Sequence, residues 1–201
     1  MKKTIAIDID DVLSATAAGF SKFSDERWGG NHHPDNWQEA WDLFWDIPRE
    51  EAISRAEEYH RSDAVSAYGS LDNAAQVLRK LKSQYRLIII TSRKVVLRDH
   101  TSEWLNKHYQ GIFDEVHYAG IWDGGENLDV KLNMTKAEIC RELSCDYLID
   151  DQLKHCKGAA NVGIDALLFG DYAWNQSAEL PENIQRIKDW NAVWEFFSGR
   201  A

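Results

Sequence analysis

Short apolar runs rich in β-branched residues, separated by helical patterns, most constrain what this sequence can form. The clearest run covers residues 85–91, and similar runs cover residues 4–9, 115–119, 146–149 and 165–169. Strands that alternate with helices in this way are typical of a parallel sheet covered by helices on both faces. We therefore predict an α/β fold with three layers.

Helical patterns fill the intervals between these runs. Residues 70–82 carry one apolar stripe, and we predict that Ser70 caps this helix. Further helices are predicted over residues 95–109 and 135–143 and after the run at residues 146–149. Residues 184–197 have the pattern of a last amphipathic helix.

The interval from residue 14 to residue 69 differs in composition, with few β-branched residues and many acids. Its aromatic residues recur at helical spacing, as Trp37, Trp41, Phe44 and Trp45. A chain of 201 residues is long enough for one buried core and too short for two large domains. We therefore predict a core of residues 1–13 and 70–201 that carries a small helical cap, residues 14–69.

Composition limits the classes of partner. The formal net charge of −10 makes the surface repel polyanions, so we expect no extended nucleic-acid contact and only a small phosphorylated ligand. No segment approaches the ~20 apolar residues of a membrane span. The three cysteines follow neither a metal-ligand nor a disulfide pattern. We expect a soluble cytoplasmic protein, either a monomer or a homodimer.

Polar side chains stand where several of the predicted strands end. They are Asp8, Asp10, Asp11, Thr91, Ser92, Arg93, Asp150 and Asp151. The carboxyl ends of parallel strands meet at one edge of a sheet, and ligands bind there. The sequence therefore predicts a polar site at this edge.

Asp8 and Asp10 are two residues apart, so their carboxylates repel each other unless a cation lies beside them. A divalent ion held by oxygen ligands relieves this repulsion, and Asp150 or Asp151 would complete the ligand set. Magnesium is the ion we predict, because it accepts few protein ligands. The alternative is that these acids are solvated and cap the adjoining strands and helices.

Four segments in this order resemble the motifs of the haloacid dehalogenase superfamily of phosphohydrolases. They are Asp8-x-Asp10-x-Val12-Leu13, Thr91 after residues 87–90, Lys136 at the start of a helix, and Asp150-Asp151 after residues 147–149. Asp11 departs from the pattern, since glycine is frequent there. Lys131, five residues before Lys136, is an alternative for the lysine.

The resemblance implies a Rossmann-like core and an in-line attack by Asp8 on phosphorus, which forms an aspartyl phosphate. Asp10 would protonate the leaving oxygen and then activate the hydrolytic water. It also implies that Mg²⁺ is bound by the Asp8 carboxylate, the Asp10 main-chain carbonyl and Asp150, with Asp151 as the alternative.

The remaining motif residues would bind the phosphate. Thr91 and the Ser92 amide would hold phosphoryl oxygens, and Lys136 would neutralise charge on Asp8 and on the phosphate. Arg93 lies beside this site in sequence, where it either contacts the substrate or forms a structural ion pair.

Within the superfamily, the short motifs and the position of the insert are similar to those of the small 5'(3')-deoxyribonucleotidases. That similarity implies a mononucleotide substrate and a cap whose aromatic residues stack on the base, with Trp41 and Trp45 as candidates. The alternative for both tryptophans is packing in the cap core. Other functions left open are hydrolysis of a different small ester, such as a sugar phosphate, and a phospho-acceptor or phosphate-binding sensor without turnover.

Overall fold

The structure is a computed structural model that describes residues 2–120, 134–177 and 179–200. The strands are β1 Thr4–Ile7, β2 Arg86–Thr91, β3 Glu115–Tyr118, β4 Tyr147–Asp150, β5 Asp165–Phe169 and β6 Ile184–Ile187. They form one six-stranded parallel sheet in the order β3-β2-β1-β4-β5-β6. This sheet confirms the predicted α/β fold.

Helices cover both faces of the sheet. Their bounds are α1 Thr16–Trp28, α2 Trp41–Trp45, α3 Arg49–His60, α4 Ala64–Ala67, α5 Ala74–Lys82, α6 Arg98–Tyr109, α7 Lys136–Glu142, α8 Leu153–Asn161 and α9 Trp190–Ser198. Short 3₁₀ turns occur at Pro34–Asn36, Val95–Leu97 and Ala173–Asn175. In the described ranges, no helix is long and apolar enough to cross a membrane.

Alternation along the strands divides the core into two layers. Ile5 and Ile7 of β1 face one side, where the apolar residues of α5, α6 and α9 pack. Ala6 between them faces the other side, which α7 and α8 cover. This period of two is the strand geometry that places alternate side chains on opposite faces, and it produces the three layers.

The C-terminal prediction was wrong in its first part. Residues 184–187 form the edge strand β6, paired with β5, and the helix begins only at Trp190. Asp189 starts this helix, because its carboxylate accepts a hydrogen bond from the Ala192 amide at 3.0 Å. The apolar, polar, polar, apolar pattern of β6 was too short to distinguish a strand from a helical turn.

The predicted serine cap at Ser70 was also wrong. The helix begins four residues later, at Ala74, after Asn73 in a left-handed conformation with φ of 61°. The Leu71 amide donates to the Leu13 carbonyl at 2.8 Å, which ties this segment to the exit of β1 instead. Ser70 itself bridges to Ser14 in an antiparallel pair.

Helices α1 to α4, which lie between β1 and β2, supply most of a third apolar cluster. Phe20 is fully buried in it and stacks on Trp45 at a centroid distance of 5.4 Å. Phe44, Tyr59 and Val65 are further members. This cluster contains no residue of the sheet, but it includes Leu97, which follows β2. The division into a core and a cap of residues 14–69 stays a prediction.

Candidate active site

The sheet reverses its direction of growth between β1 and β4, which lie side by side. The chain adds β2 and β3 on one side of β1 and β5 and β6 on the other side of β4. Asp8 follows β1, and its amide donates to the Ile149 carbonyl of β4 at 2.9 Å. Asp150 is the last residue of β4. Both carboxylates therefore lie at the crevice where α/β sheets bind ligands.

Lys136 joins the two carboxylates. It is the first residue of α7, which Thr135 and Glu138 begin with a reciprocal capping box. Its ammonium nitrogen Nζ lies 2.8 Å from Asp8 Oδ1 and 2.7 Å from Asp150 Oδ2, and the side chain is 1% exposed. Burial lowers the pKa of Lys136, but Asp150 and Asp8 outweigh it and raise the pKa above its usual value. The ammonium is therefore permanently charged.

Burial has the opposite consequence for Asp8. It raises the pKa of this carboxyl to about 7, even though Lys136 lowers it. Asp8 Oδ1 is buried and accepts no well-directed hydrogen bond among the described residues, despite its short ion-pair distance to Lys136. Asp8 thus has a poorly solvated carboxylate that lines the cleft, which suits both a nucleophile and a metal ligand.

Asp8, Asp150 and Asp151 form a group with the donor chemistry of a hard cation. One carboxylate oxygen from each lies within 4.8 Å of the others. Burial, followed by repulsion from Asp150 and Asp8, raises the pKa of Asp151 well above its usual value. One lysine cannot balance three buried carboxylates, whereas an oxygen-liganded divalent ion can. The residues therefore fit magnesium, and Asp151 belongs to the group together with Asp150.

Asp10 is turned away from this group toward Arg93. The Arg93 guanidinium donates to Asp10 from Nε at 3.0 Å and from Nη2 at 2.7 Å, and the Thr16 hydroxyl donates at 2.6 Å. Burial raises the pKa of Asp10, but Arg93 and Thr16 outweigh it and hold the pKa below its usual value. Of the two roles left open for Arg93, the structure describes an ion pair. Sequence patterns did not identify Thr16 as a hydrogen-bond donor to Asp10. A hydroxyl residue at the start of the helix that follows Asp10 could have suggested this role.

Asp11 occupies a position that explains its departure from the superfamily pattern. Its backbone is left-handed, with φ of 53°, which favours glycine but which aspartate tolerates better than most residues. Both of its carboxylate oxygens accept from the Ala17 amide, at 3.0 and 3.2 Å. The side chain thereby satisfies an amide in the first turn of α1.

Thr91 and Ser92 lie at the end of β2, as predicted. The Thr91 hydroxyl is fully buried and accepts from the Arg93 amide at 3.1 Å. Ser92 lines the cleft, and its buried hydroxyl has no hydrogen-bond partner among the described residues. A buried hydroxyl without a partner is costly unless a ligand satisfies it. Lys131, the alternative lysine, lies outside the described residues.

A cleft of about 620 Å³ lies between this group and the helices after β1. Trp41 lines it, whereas Trp45 does not and instead donates its indole N–H to the Ser24 hydroxyl at 3.0 Å. His60 and His155 also line the cleft, and burial lowers the pKa of each to about 4. They are neutral hydrogen-bonding groups at pH 7. Sequence reasoning missed both, because isolated histidines on helices carry no motif.

Comparison with known proteins assigns the chain to a family. Residues 2–121 match the family described as "5' nucleotidase, deoxy (Pyrimidine), cytosolic type C protein". The chain belongs to this family. Membership makes it a phosphohydrolase of the haloacid dehalogenase superfamily, close to the deoxynucleotidase members.

Individual relatives of this deoxynucleotidase-family chain are distant. It is 26% identical over 208 residues to an uncharacterized 32.4 kDa protein of Enterobacteria phage T4, covering 96% of this chain and 69% of that protein. A haloacid dehalogenase-like hydrolase from Streptococcus pneumoniae has a TM-score of 0.68 at 16% identity, with 98% of each chain covered. L-2-haloacid dehalogenase from Xanthobacter autotrophicus has a TM-score of 0.66 at 12% identity, with 100% of each covered. The two structures support the fold alone.

Proposed function

We propose that this chain hydrolyses nucleoside or deoxynucleoside monophosphates in a magnesium-dependent reaction, with Asp8 carrying the phosphoryl group as an aspartyl phosphate. The observation that supports this best is the contact of Lys136 with both Asp8 and Asp150 at the switch point of the sheet. A nucleophile needs a lone pair directed at the substrate and an environment that stabilises the developing charge. Asp8 lines the cleft, where it could meet the substrate, and Lys136 supplies positive charge beside it.

The other residues have separate tasks in this proposal. Ser92 lines the cleft and has a buried hydroxyl that no described residue bonds, which supports binding of a phosphoryl oxygen, and Thr91 and Lys136 are proposed to assist. Asp10 gives a proton to the leaving oxygen and later takes one from the attacking water. Arg93 keeps Asp10 ionised in the protein alone, which is the form that accepts the proton of water. The negative charge of a bound phosphate would raise the pKa of Asp10 and so favour the protonated form that the first step needs.

The buried carboxylates would hold the metal. Asp8, Asp150 and Asp151 would supply carboxylate oxygens, and the Asp10 main-chain carbonyl is a further proposed ligand. When bound, magnesium supplies positive charge that offsets the phosphate dianion beside an anionic nucleophile. Because the three acids repel one another without it, magnesium should also stabilise the folded protein.

Magnesium is therefore expected to raise the melting temperature of the wild-type protein at pH 7.5. A ligand at ~100 times its Kd stabilises by about 2.7 kcal/mol, which corresponds to a rise in melting temperature of roughly 5–11 °C for a chain of this size. Asp150→Asn should lose most of this increase, and Asp165→Asn, at an exposed acid on β5, should keep it. Differential scanning fluorimetry with and without magnesium measures the effect. An equal rise in melting temperature with magnesium in Asp150→Asn and Asp165→Asn would show that the ion binds elsewhere.

The substrate class is tested by a magnesium-dependent phosphate-release screen. It should include ribonucleotides, deoxyribonucleotides, sugar phosphates and phosphorylated amino acids. We expect a nucleoside monophosphate to have the highest kcat/KM, because the cleft combines a phosphate site with an aromatic side chain and neutral histidines. A sugar phosphate that exceeds every nucleotide would overturn the nucleotidase assignment and leave the phosphatase intact.

Trp41 and Trp45 form a matched pair for the same assignment. Trp41→Leu is expected to raise KM for the best nucleotide by about 5-fold to 160-fold, since stacking of a base on an aromatic ring contributes ~1–3 kcal/mol. Trp45→Leu should leave KM nearly unchanged and lower the melting temperature, because this indole is buried and bonded to Ser24. Steady-state kinetics and thermal unfolding of both variants distinguish the roles. An unchanged KM in Trp41→Leu would remove Trp41 from the base site.

A further inference from the structure

Arg93 is a buried cation of the site that bonds to Asp10, the acid–base residue of the proposed reaction. Its side chain is 4% exposed and spans from the end of β2 to Asp10. We propose that Arg93 is a positioning residue that orients Asp10 so that Oδ2, and not Oδ1, exchanges the proton with the substrate and with water. This inference rests on the proposed function and specifies one atom of its acid–base step.

The hydrogen bonds to Asp10 are unevenly shared between its two oxygens. Oδ1 accepts from Thr16 Oγ1 at 2.6 Å, from Arg93 Nη2 at 2.7 Å and from Arg93 Nε at 3.0 Å. Oδ2 accepts from Arg93 Nε alone, at 3.1 Å. A carboxylate oxygen has two lone pairs, so Thr16 and Nη2 occupy both lone pairs of Oδ1, and the single Nε–H is shared between the two oxygens. Oδ2 therefore keeps a lone pair for a proton, and Asp10 lines the cleft where substrate and water would exchange that proton.

Arg93 is itself held from the side away from Asp10. Its Nη1 donates to the Thr101 hydroxyl at 3.3 Å, and its guanidinium carbon lies 5.8 Å from the ring centroid of Trp104. Trp104 is fully buried, and its indole N–H donates to the Tyr68 carbonyl at 2.8 Å. The guanidinium is therefore fixed to α6 and to the end of the proposed cap. A guanidinium fixed in this way can hold the neighbouring Asp10 carboxylate in one orientation. It is less suited to moving into contact with a substrate.

The proton balance gives each oxygen a defined task. In the first step an Asp8 oxygen bonds to phosphorus, the bond from phosphorus to the leaving oxygen breaks, and the proton on Asp10 Oδ2 moves to that oxygen. The products are an alcohol, the aspartyl phosphate and ionised Asp10. In the second step water bonds to phosphorus, its proton moves to Asp10 Oδ2, and the bond to Asp8 breaks to release phosphate. Asp8 is again ionised and Asp10 protonated.

The proposal predicts dependence on the leaving group. An alkoxide is a poor leaving group and needs the proton of Asp10, whereas p-nitrophenolate leaves without one. General acid catalysis contributes ~10²–10⁴-fold. Arg93→Ala should therefore slow single-turnover release of nucleoside from the best nucleotide by about 100-fold or more. It should slow burst release of p-nitrophenol from p-nitrophenyl phosphate by less than about 10-fold.

Two further measurements separate orientation from general structural damage. In an Asp10→Asn background, Arg93→Ala should cost no more than about 2-fold further in nucleoside release, because coupled residues are not additive. Added guanidinium ion should restore at least about 10-fold of the lost rate in the single Arg93→Ala variant. If that variant does not fold, Arg93→Lys, which keeps the charge but loses the paired donors, should show the same dependence on the leaving group.

Parallel losses for both leaving groups, additive with Asp10→Asn, would overturn the role of Arg93. That result leaves the proposed phosphatase function standing. The proposed function fails separately if the wild-type protein hydrolyses no phosphate ester in the presence of magnesium.

Discussion

Asp8→Asn is expected to abolish turnover of both p-nitrophenyl phosphate and the best nucleotide, with a loss of at least ~10³-fold in kcat. The amide keeps the size of the side chain but cannot form the aspartyl phosphate. Continuous release of p-nitrophenol and single-turnover assays measure the loss, and Asp165→Asn is the matched control for removal of an acid. Activity at the wild-type level in Asp8→Asn would remove Asp8 as the nucleophile.

The same variant should be more stable than the wild-type protein in metal-free buffer at pH 8. Burial raises the pKa of Asp8 to about 7, so ionisation of this group costs more in the folded chain than in the unfolded chain. Asparagine removes that cost, and we expect the free energy of unfolding to rise by on the order of 1 kcal/mol or more. Loss of activity together with gain of stability would separate the catalytic role from a structural one. Unfolding in urea measures the change.

Lys136→Met should have the opposite effect on stability and the same effect on activity. Removal of the ammonium leaves Asp8 and Asp150 buried without their cation, and breaking a buried ion pair in this way costs about 3–5 kcal/mol. The activity should fall as far as in Asp8→Asn, because the charge beside the nucleophile is lost. Urea unfolding in metal-free buffer and the p-nitrophenol assay measure the two effects.

A double variant gives the control for this prediction. Asp8→Asn combined with Lys136→Met should recover part of the lost stability, because Asp150 is then the one carboxylate of the pair that is buried without its cation. Added magnesium should restore Lys136→Met more than it stabilises the wild-type protein, since it replaces the missing positive charge. A loss smaller than about 1 kcal/mol in Lys136→Met would show that the lysine does not balance these acids.

The sequence allowed prediction of the sheet and of the residues at its carboxyl edge for one physical reason. A buried parallel strand must be apolar along its length and can become polar only where it ends, so Asp8, Thr91 and Asp150 stand out without any coordinates. Lys136 needed a second signal, its position at the start of a predicted helix, which the structure shows to begin with a Thr135–Glu138 capping box. Such local rules work because each depends on a few adjacent residues.

The features that could not be predicted depend on contacts between distant segments. The pairing of Asp10 with Arg93 joins residues 83 positions apart, and no local pattern selects it. Helical spacing placed Trp41 and Trp45 in one helix. It could not show that Trp41 lines the cleft and that Trp45 does not. The start of α5 moved to Ala74 because Leu71 is bonded to Leu13, a tertiary contact that overrides a serine in a favourable position.

The hydrogen bond from Leu71 to Leu13 has a consequence for how this chain can vary. Together with the bond from the Ala15 amide to the Gly69 carbonyl at 2.9 Å, it makes the two ends of the intervening segment immediate neighbours. A segment whose ends already touch can change in length at small entropic cost, about 0.6 kcal/mol for each doubling. The proposed cap can therefore be replaced by a segment of different length and substrate specificity at its base, while Asp8 and Lys136 keep their positions.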